Sequence, residues 1–75
     1  MNKKEAIKLL EGTYPDLKAN AVVEDPDLFI VQMERKDGTQ IVGGVKGIYK
    51  EDGRIVAINP LRIKGLVKRL MAATI

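Results

Sequence analysis

The chain has 75 residues, 45% of them apolar, and a formal net charge of +3. That length allows a single domain, expected over residues 1–75, whose core must be used efficiently. Histidine, serine, cysteine and tryptophan are all absent, which excludes disulfides, thiolate-bound zinc, serine- or cysteine-type nucleophile–base pairs and imidazole acid–base chemistry.

The remaining carboxylates fall mainly in turns and on helix surfaces, so the expectation is a protein that is not an enzyme and has neither cofactor nor metal. No run approaches the ~18 to 20 apolar residues of a membrane span. The start, Met1-Asn2-Lys3-Lys4-Glu5, leads into an amphipathic pattern rather than the apolar core of a signal peptide. A cytoplasmic protein without a membrane partner is expected. Charge is uneven: residues 1–45 carry six Lys/Arg against eight Asp/Glu, and residues 46–75 carry seven against two. The C-terminal third is thus either a basic solvated face or a contact surface for something acidic.

In chain order, Asn2 with Glu5 three residues on makes a capping box for a first helix. Ala6, Ile7, Leu9 and Leu10 supply its apolar stripe and Gly12 suits its C-terminal cap. Tyr14 is placed to fold back onto that stripe. Ala19–Glu24 reads as a strand, and Asp25-Pro26-Asp27 turns it into a stronger one, Leu28–Arg35. Glu24, Asp25 and Asp27 lack a further ligand pattern and read as a solvated turn rather than a calcium site. Gln40–Asn59 then reads as two long strands joined by Glu51-Asp52-Gly53, where Gly53 takes positive φ. Lys36-Asp37-Gly38 repeats that punctuation. Gly43, Gly44 and Gly47 lack the strand–loop–helix context of a phosphate loop and imply a bulge, a bend or close approach of a helix. Asn59-Pro60 opens a last helix as N-cap and first residue, with Ile63, Leu66, Val67, Leu70 and Met71 along one face.

With three-residue loops, Arg35 pairs with Thr39 and Lys50 with Arg54. This puts Phe29, Val31, Met33, Ile41, Val45, Tyr49, Ile55 and Ala57, with Ala21 and Val23, on one side of one sheet. Both helices can cover that side. The expected fold is α+β: helix, four-stranded antiparallel meander, helix, with the helices packed mainly on one sheet face. The other face carries Leu28, Ile30, Val42, Ile48, Val56 and Ile58. Such an apolar set is either covered by a helix crossing to it, a reflection of strand propensity, or a partner or homodimer surface.

The helix Lys4-Glu5-Ala6-Ile7-Lys8-Leu9-Leu10 followed by a meander resembles small PepSY-type domains. The stretch Gly43–Val56, with its charged Glu51-Asp52-Gly53 turn and a closing helix after Pro60, is similar to the polymorphic-toxin immunity family numbered thirty-five. What the resemblance implies is a small α+β domain; no binding residue is carried over from it.

Two functions follow as expectations. The first is a non-catalytic protein-binding module, immunity- or inhibitor-like, acting by occlusion through the second sheet face (Leu28, Ile30, Val42, Ile48, Val56, Ile58) or a sheet edge, or forming a homodimer. The second is a nucleic-acid-binding accessory protein of bacterial, phage or mobile-element type. It would use Lys46, Lys50, Arg54, Arg62, Lys64, Lys68 and Arg69 on phosphates. Only three aromatic residues are present, none in a base-stacking pattern.

Overall fold

The structure is a computed structural model that describes residues 1–39, 41 and 43–75; Gln40, read above as the start of a strand, and Val42, assigned to the second sheet face, lie outside the described residues. Helix α1 spans Lys3–Thr13. Its capping box forms as expected: the Asn2 side chain accepts from the Glu5 N–H at 2.8 Å, and the Asn2 N–H donates to Glu5 Oε1 at 3.3 Å. Such a cap contributes about 1 kcal/mol. Gly12 does not end the helix, which runs on to Thr13 and caps at Tyr14. Ala6 and Leu10, one turn apart, are fully buried, whereas Leu9 stays exposed.

Four strands follow, β1 (Leu17–Glu24), β2 (Leu28–Arg35), β3 (Val45–Tyr49) and β4 (Ile55–Ala57). They pair antiparallel in the order β1-β2-β3-β4, the expected meander. A 3-10 turn at Pro60–Arg62 and helix α2 (Leu66–Ala72) close the chain. The fold is α+β.

The helices, however, do not share a face. Ala6 and Leu10 of α1 pack with Val22, Phe29, Val31, Met33 and Ile48. Leu66 and Leu70 of α2 pack with Ala21, Val23, Ile30 and Val45 on the opposite side. The one-face expectation is corrected, and the cause is register. In an antiparallel pair an odd shift moves every side chain to the other face. The β1–β2 connection is tighter than three residues: the Asp25 N–H donates to the Leu28 carbonyl at 2.9 Å, closing a turn on Pro26-Asp27, and Glu24 pairs with Phe29. Ala21 and Val23 thereby go to the α2 side and Val22 to the α1 side. A bulge between Ala19 and Ala21 then returns Ala19 to the α1 side, opposite Met33.

Between β2 and β3 the shift is three residues. Thr39 does not start a regular strand; the Gly44 carbonyl accepts from the Met33 N–H at 2.7 Å, and Gln32 pairs with Val45. Consecutive glycines specify register weakly, and strand β3 begins after Gly43-Gly44, at Val45. This places Ile48 beside Phe29 and sends Val45 to the α2 side. The last turn is one residue longer than expected, with the Tyr49 N–H donating to the Arg54 carbonyl at 2.9 Å and Gly53 at φ 73°. Two odd shifts cancel, so Ile55 returns to the Phe29 side, paired with Ile48.

The last helix is shorter than its periodicity suggests. Asn59 does cap, accepting from the Leu61 N–H at 3.0 Å, with Pro60 next. The chain then turns again, the Leu66 N–H bonding the Ile63 carbonyl at 3.1 Å with Gly65 at φ 78° and ψ 0°. Those angles are those of the third residue of a type II turn, where glycine avoids the Cβ clash. Gly65 therefore serves the turn; an added Cβ there would meet nothing within 4 Å, so it does not mark a close helix crossing.

Two glycines allow a paired test. A methyl on Gly44 would lie 2.8 Å from the Met33 backbone oxygen, which cannot rotate away. Gly44→Ala is expected to lower stability by about 1–3 kcal/mol. Gly12→Ala, inside α1 with no atom near its Cβ, is expected to raise it by about 0.5–1 kcal/mol. Urea melts of the two variants check both signs.

Candidate functional site

The apolar set assigned to the second sheet face does not form one surface. Ile30 and Ile48 are buried, at 2% and 0% exposure, and they lie on opposite faces under α2 and α1 respectively. Leu28, Val56 and Ile58 are half-buried. They gather around Gly47, whose missing side chain leaves the space their tips occupy: an added Cβ would meet Leu28 Cδ1 at 2.9 Å, Val56 Cγ2 at 3.1 Å and Ile58 Cδ1 at 3.2 Å. Val42 lies outside the described residues.

The seven cations are likewise divided. Lys46 and Lys50 project to the α1 side, where the Lys46 ammonium sits 5.4 Å from the centre of the Tyr14 ring. Tyr14 does fold back onto the α1 stripe as expected. The Lys50 ammonium lies 4.9 Å from the Phe29 ring centre and 2.7 Å from the Glu24 carboxylate. On the other side, the Arg54 guanidinium covers Tyr49 at 4.7 Å. Tyr49 is half-buried opposite Leu28, not in the Phe29 core as expected. The Arg69 guanidinium holds the Asp25 carboxylate at 2.6 Å. The acidic turn thus neutralises two of the chain's own cations.

The Lys50 hydrogen bond, reinforced by its charge, holds the Glu24 carboxyl below the usual glutamate range. The folded state therefore gains from this pair fully above the ordinary glutamate pKa and loses it as the pH falls through the lowered value. Lys50→Met is expected to return Glu24 to the ordinary range, read by a carboxyl-carbon NMR titration. The Thr39 hydroxyl and N–H likewise hold Asp37 low, from 2.7 and 2.9 Å.

Three cations, Arg62, Lys64 and Lys68, are exposed and have no carboxylate within 4 Å among the described residues. They stand in a segment whose aliphatic side chains are largely exposed, although its helical periodicity predicts an apolar face. Leu61 is 87% exposed, Met71 74% and Ile75 72%, with Ile63 and Val67 also exposed. Helix α2 has seven residues and meets the sheet through one i, i+4 pair, Leu66 and Leu70, which leaves the neighbouring pair Val67 and Met71 at its margin. Gly65 takes Ile63 out of the helical phase, but nothing in the sequence separates the two pairs. From Arg54 to Ile75 the chain has five Lys/Arg and no Asp or Glu.

The two sheet edges also differ. The outer edge of β1 is closed. The Glu11 carboxylate accepts from the Ala19 N–H at 3.0 Å, and residues 73–75 run alongside, with the Ile75 N–H bonding the Asn20 carbonyl at 2.9 Å. The β4 edge is three residues long, a length that itself limits strand addition. Among the described residues no group of three or more Asp/Glu is placed to hold a metal ion, and no helix is long and apolar enough to cross a membrane. Compared with family models, curated proteins and solved structures, the chain matches none.

Proposed function

We propose that this protein is a small, non-catalytic protein-binding module. It acts by occlusion, in the manner of an immunity protein or inhibitor, and docks through the outer surface of the Pro60–Arg62 turn and α2. The observation that carries this reading is the exposure of Leu61, Val67 and Met71 together on one short segment. Scattered exposed aliphatics are ordinary, but grouped ones commonly mark a contact surface, and methionine is enriched at such surfaces. The sheet face favoured by the sequence is less suited, because α2 lies over Ile30 and Val45.

Nucleic-acid binding draws less support. Lys46 and Lys50 lie on the α1 side of the sheet while α2 packs on the other, and Lys50 and Arg69 are already paired to carboxylates. Protruding aliphatic side chains add nothing to a phosphate contact.

The test pairs capture with folding. Val67→Lys combined with Met71→Lys alters two exposed positions and is expected to change stability by no more than about 0.5 kcal/mol. The same double variant is expected to lose, by at least about tenfold, whichever host protein the native chain retains specifically. Equal retention by both proteins, with matching thermal melts, would contradict the reading.

A further inference from the structure

We infer that the element docking on this surface is an acidic, amphipathic helical segment of another protein; this rests on the docking face proposed above and adds the chemistry of its occupant. The charge on the face is one-sided. No acidic residue occurs between Arg54 and Ile75, and the exposed cations Arg62, Lys64 and Lys68 alternate along the segment with exposed Leu61, Val67 and Met71. In the same segment Arg69 already holds a carboxylate, Asp25 at 2.6 Å, whereas Arg62, Lys64 and Lys68 have none within 4 Å among the described residues.

Val67 and Met71 lie one turn apart on α2. Residues four apart form the ridges by which helices pack against one another, and anchors at that spacing are read by helical partners. A second copy of this chain meets the face poorly. A two-fold contact apposes the same patch on both subunits, which would bring Arg62, Lys64 and Lys68 against their own counterparts. Carboxylates flanking an apolar stripe on a foreign helix satisfy both the ridge and the cations. Like-charge exclusion also sets specificity, because a basic amphipathic helix is rejected.

The test uses the full chain, isotopically labelled, and two synthetic helical peptides. Both carry leucine along one face; the remaining positions are glutamate in one and lysine in the other. The glutamate peptide is expected to shift amides within residues 61–75, and the lysine peptide to leave them unmoved. Lys64→Glu combined with Lys68→Glu is expected to weaken the glutamate peptide by roughly tenfold, and added salt to weaken it further. Equal shifts from both peptides would overturn the acidic assignment while leaving the docking face in place. Shifts from neither would also overturn it. Stronger binding to phosphatidylglycerol vesicles or to duplex DNA than to the glutamate peptide would replace it with another occupant. The docking face itself falls separately, through the Val67→Lys and Met71→Lys capture result.

Discussion

Leu66→Ala is expected to destabilise the protein by about 2–5 kcal/mol. Leu66 is fully buried and is the first inward residue of α2, resting with Leu70 against Val23, Ile30 and Val45. Beyond this pair the helix is held by the surface Arg69–Asp25 contact and by residues 73–75 along β1. Its N-terminus is Gly65, which offers no side-chain cap, and a seven-residue helix is not stable alone. Removing Leu66 therefore leaves a cavity and weakens the helical cover over the second sheet face. A domain of this size has a total stability of about 4–11 kcal/mol, so α2 is expected to detach or the whole chain to unfold. Urea denaturation read by circular dichroism measures the loss. Leu61→Ala, at an 87% exposed position nearby, is expected to change stability by no more than about 0.5 kcal/mol.

Phe29→Ala is expected to cost about 3–5 kcal/mol, enough to unfold a large fraction of the protein. Phe29 is the largest fully buried side chain. It lies on the α1 side of β2 between Glu24 of β1 and Ile48 of β3. Its loss empties the core that Ala6 and Leu10 cover. It also removes the ring beneath the Lys50 ammonium, so the Glu24–Lys50 pair is expected to become less ordered. A melt of Phe29→Leu, which fills much of the volume, is expected to fall between the native protein and Phe29→Ala.

Much of the architecture was legible in the sequence. Asn2 with Glu5, the turn at Asp52-Gly53 and the Asn59-Pro60 cap are local signals, each settled by a few adjacent residues; the first forms as expected, the second with one more residue in its loop, and the third caps a 3-10 turn rather than the last helix. What local signals do not determine is loop length. Pro26-Asp27 made a tighter turn than three residues, Gly43-Gly44 postponed pairing, and Lys50–Gly53 added one residue. Each is an odd shift, and each reverses a face. Alternation along β2 was legible, but whether Ile48 or Val45 stood beside Phe29 was not. Since both faces of the sheet are apolar, the hydrophobic pattern could not choose between registers.

The candidate site was less legible for a related reason. Val67 and Met71 share a helical stripe with Leu66 and Leu70 in sequence, and only the narrow contact of a short helix separates them. The absence of acids after Asp52 was visible from the start. Which cations the chain keeps for itself was not, because Glu24 meets Lys50, and Asp25 meets Arg69, only after folding.

The placement of α2 decides both the second core and the surface left for a partner. A methyl–methyl NOE spectrum of the labelled protein tests it most directly. Cross-peaks from Leu66 and Leu70 to Val23, Ile30 and Val45 are expected, with none from Val67 or Met71 to those three residues. Cross-peaks from Leu66 and Leu70 to Val22, Val31 and Ile48 instead would put both helices on one face and contradict it.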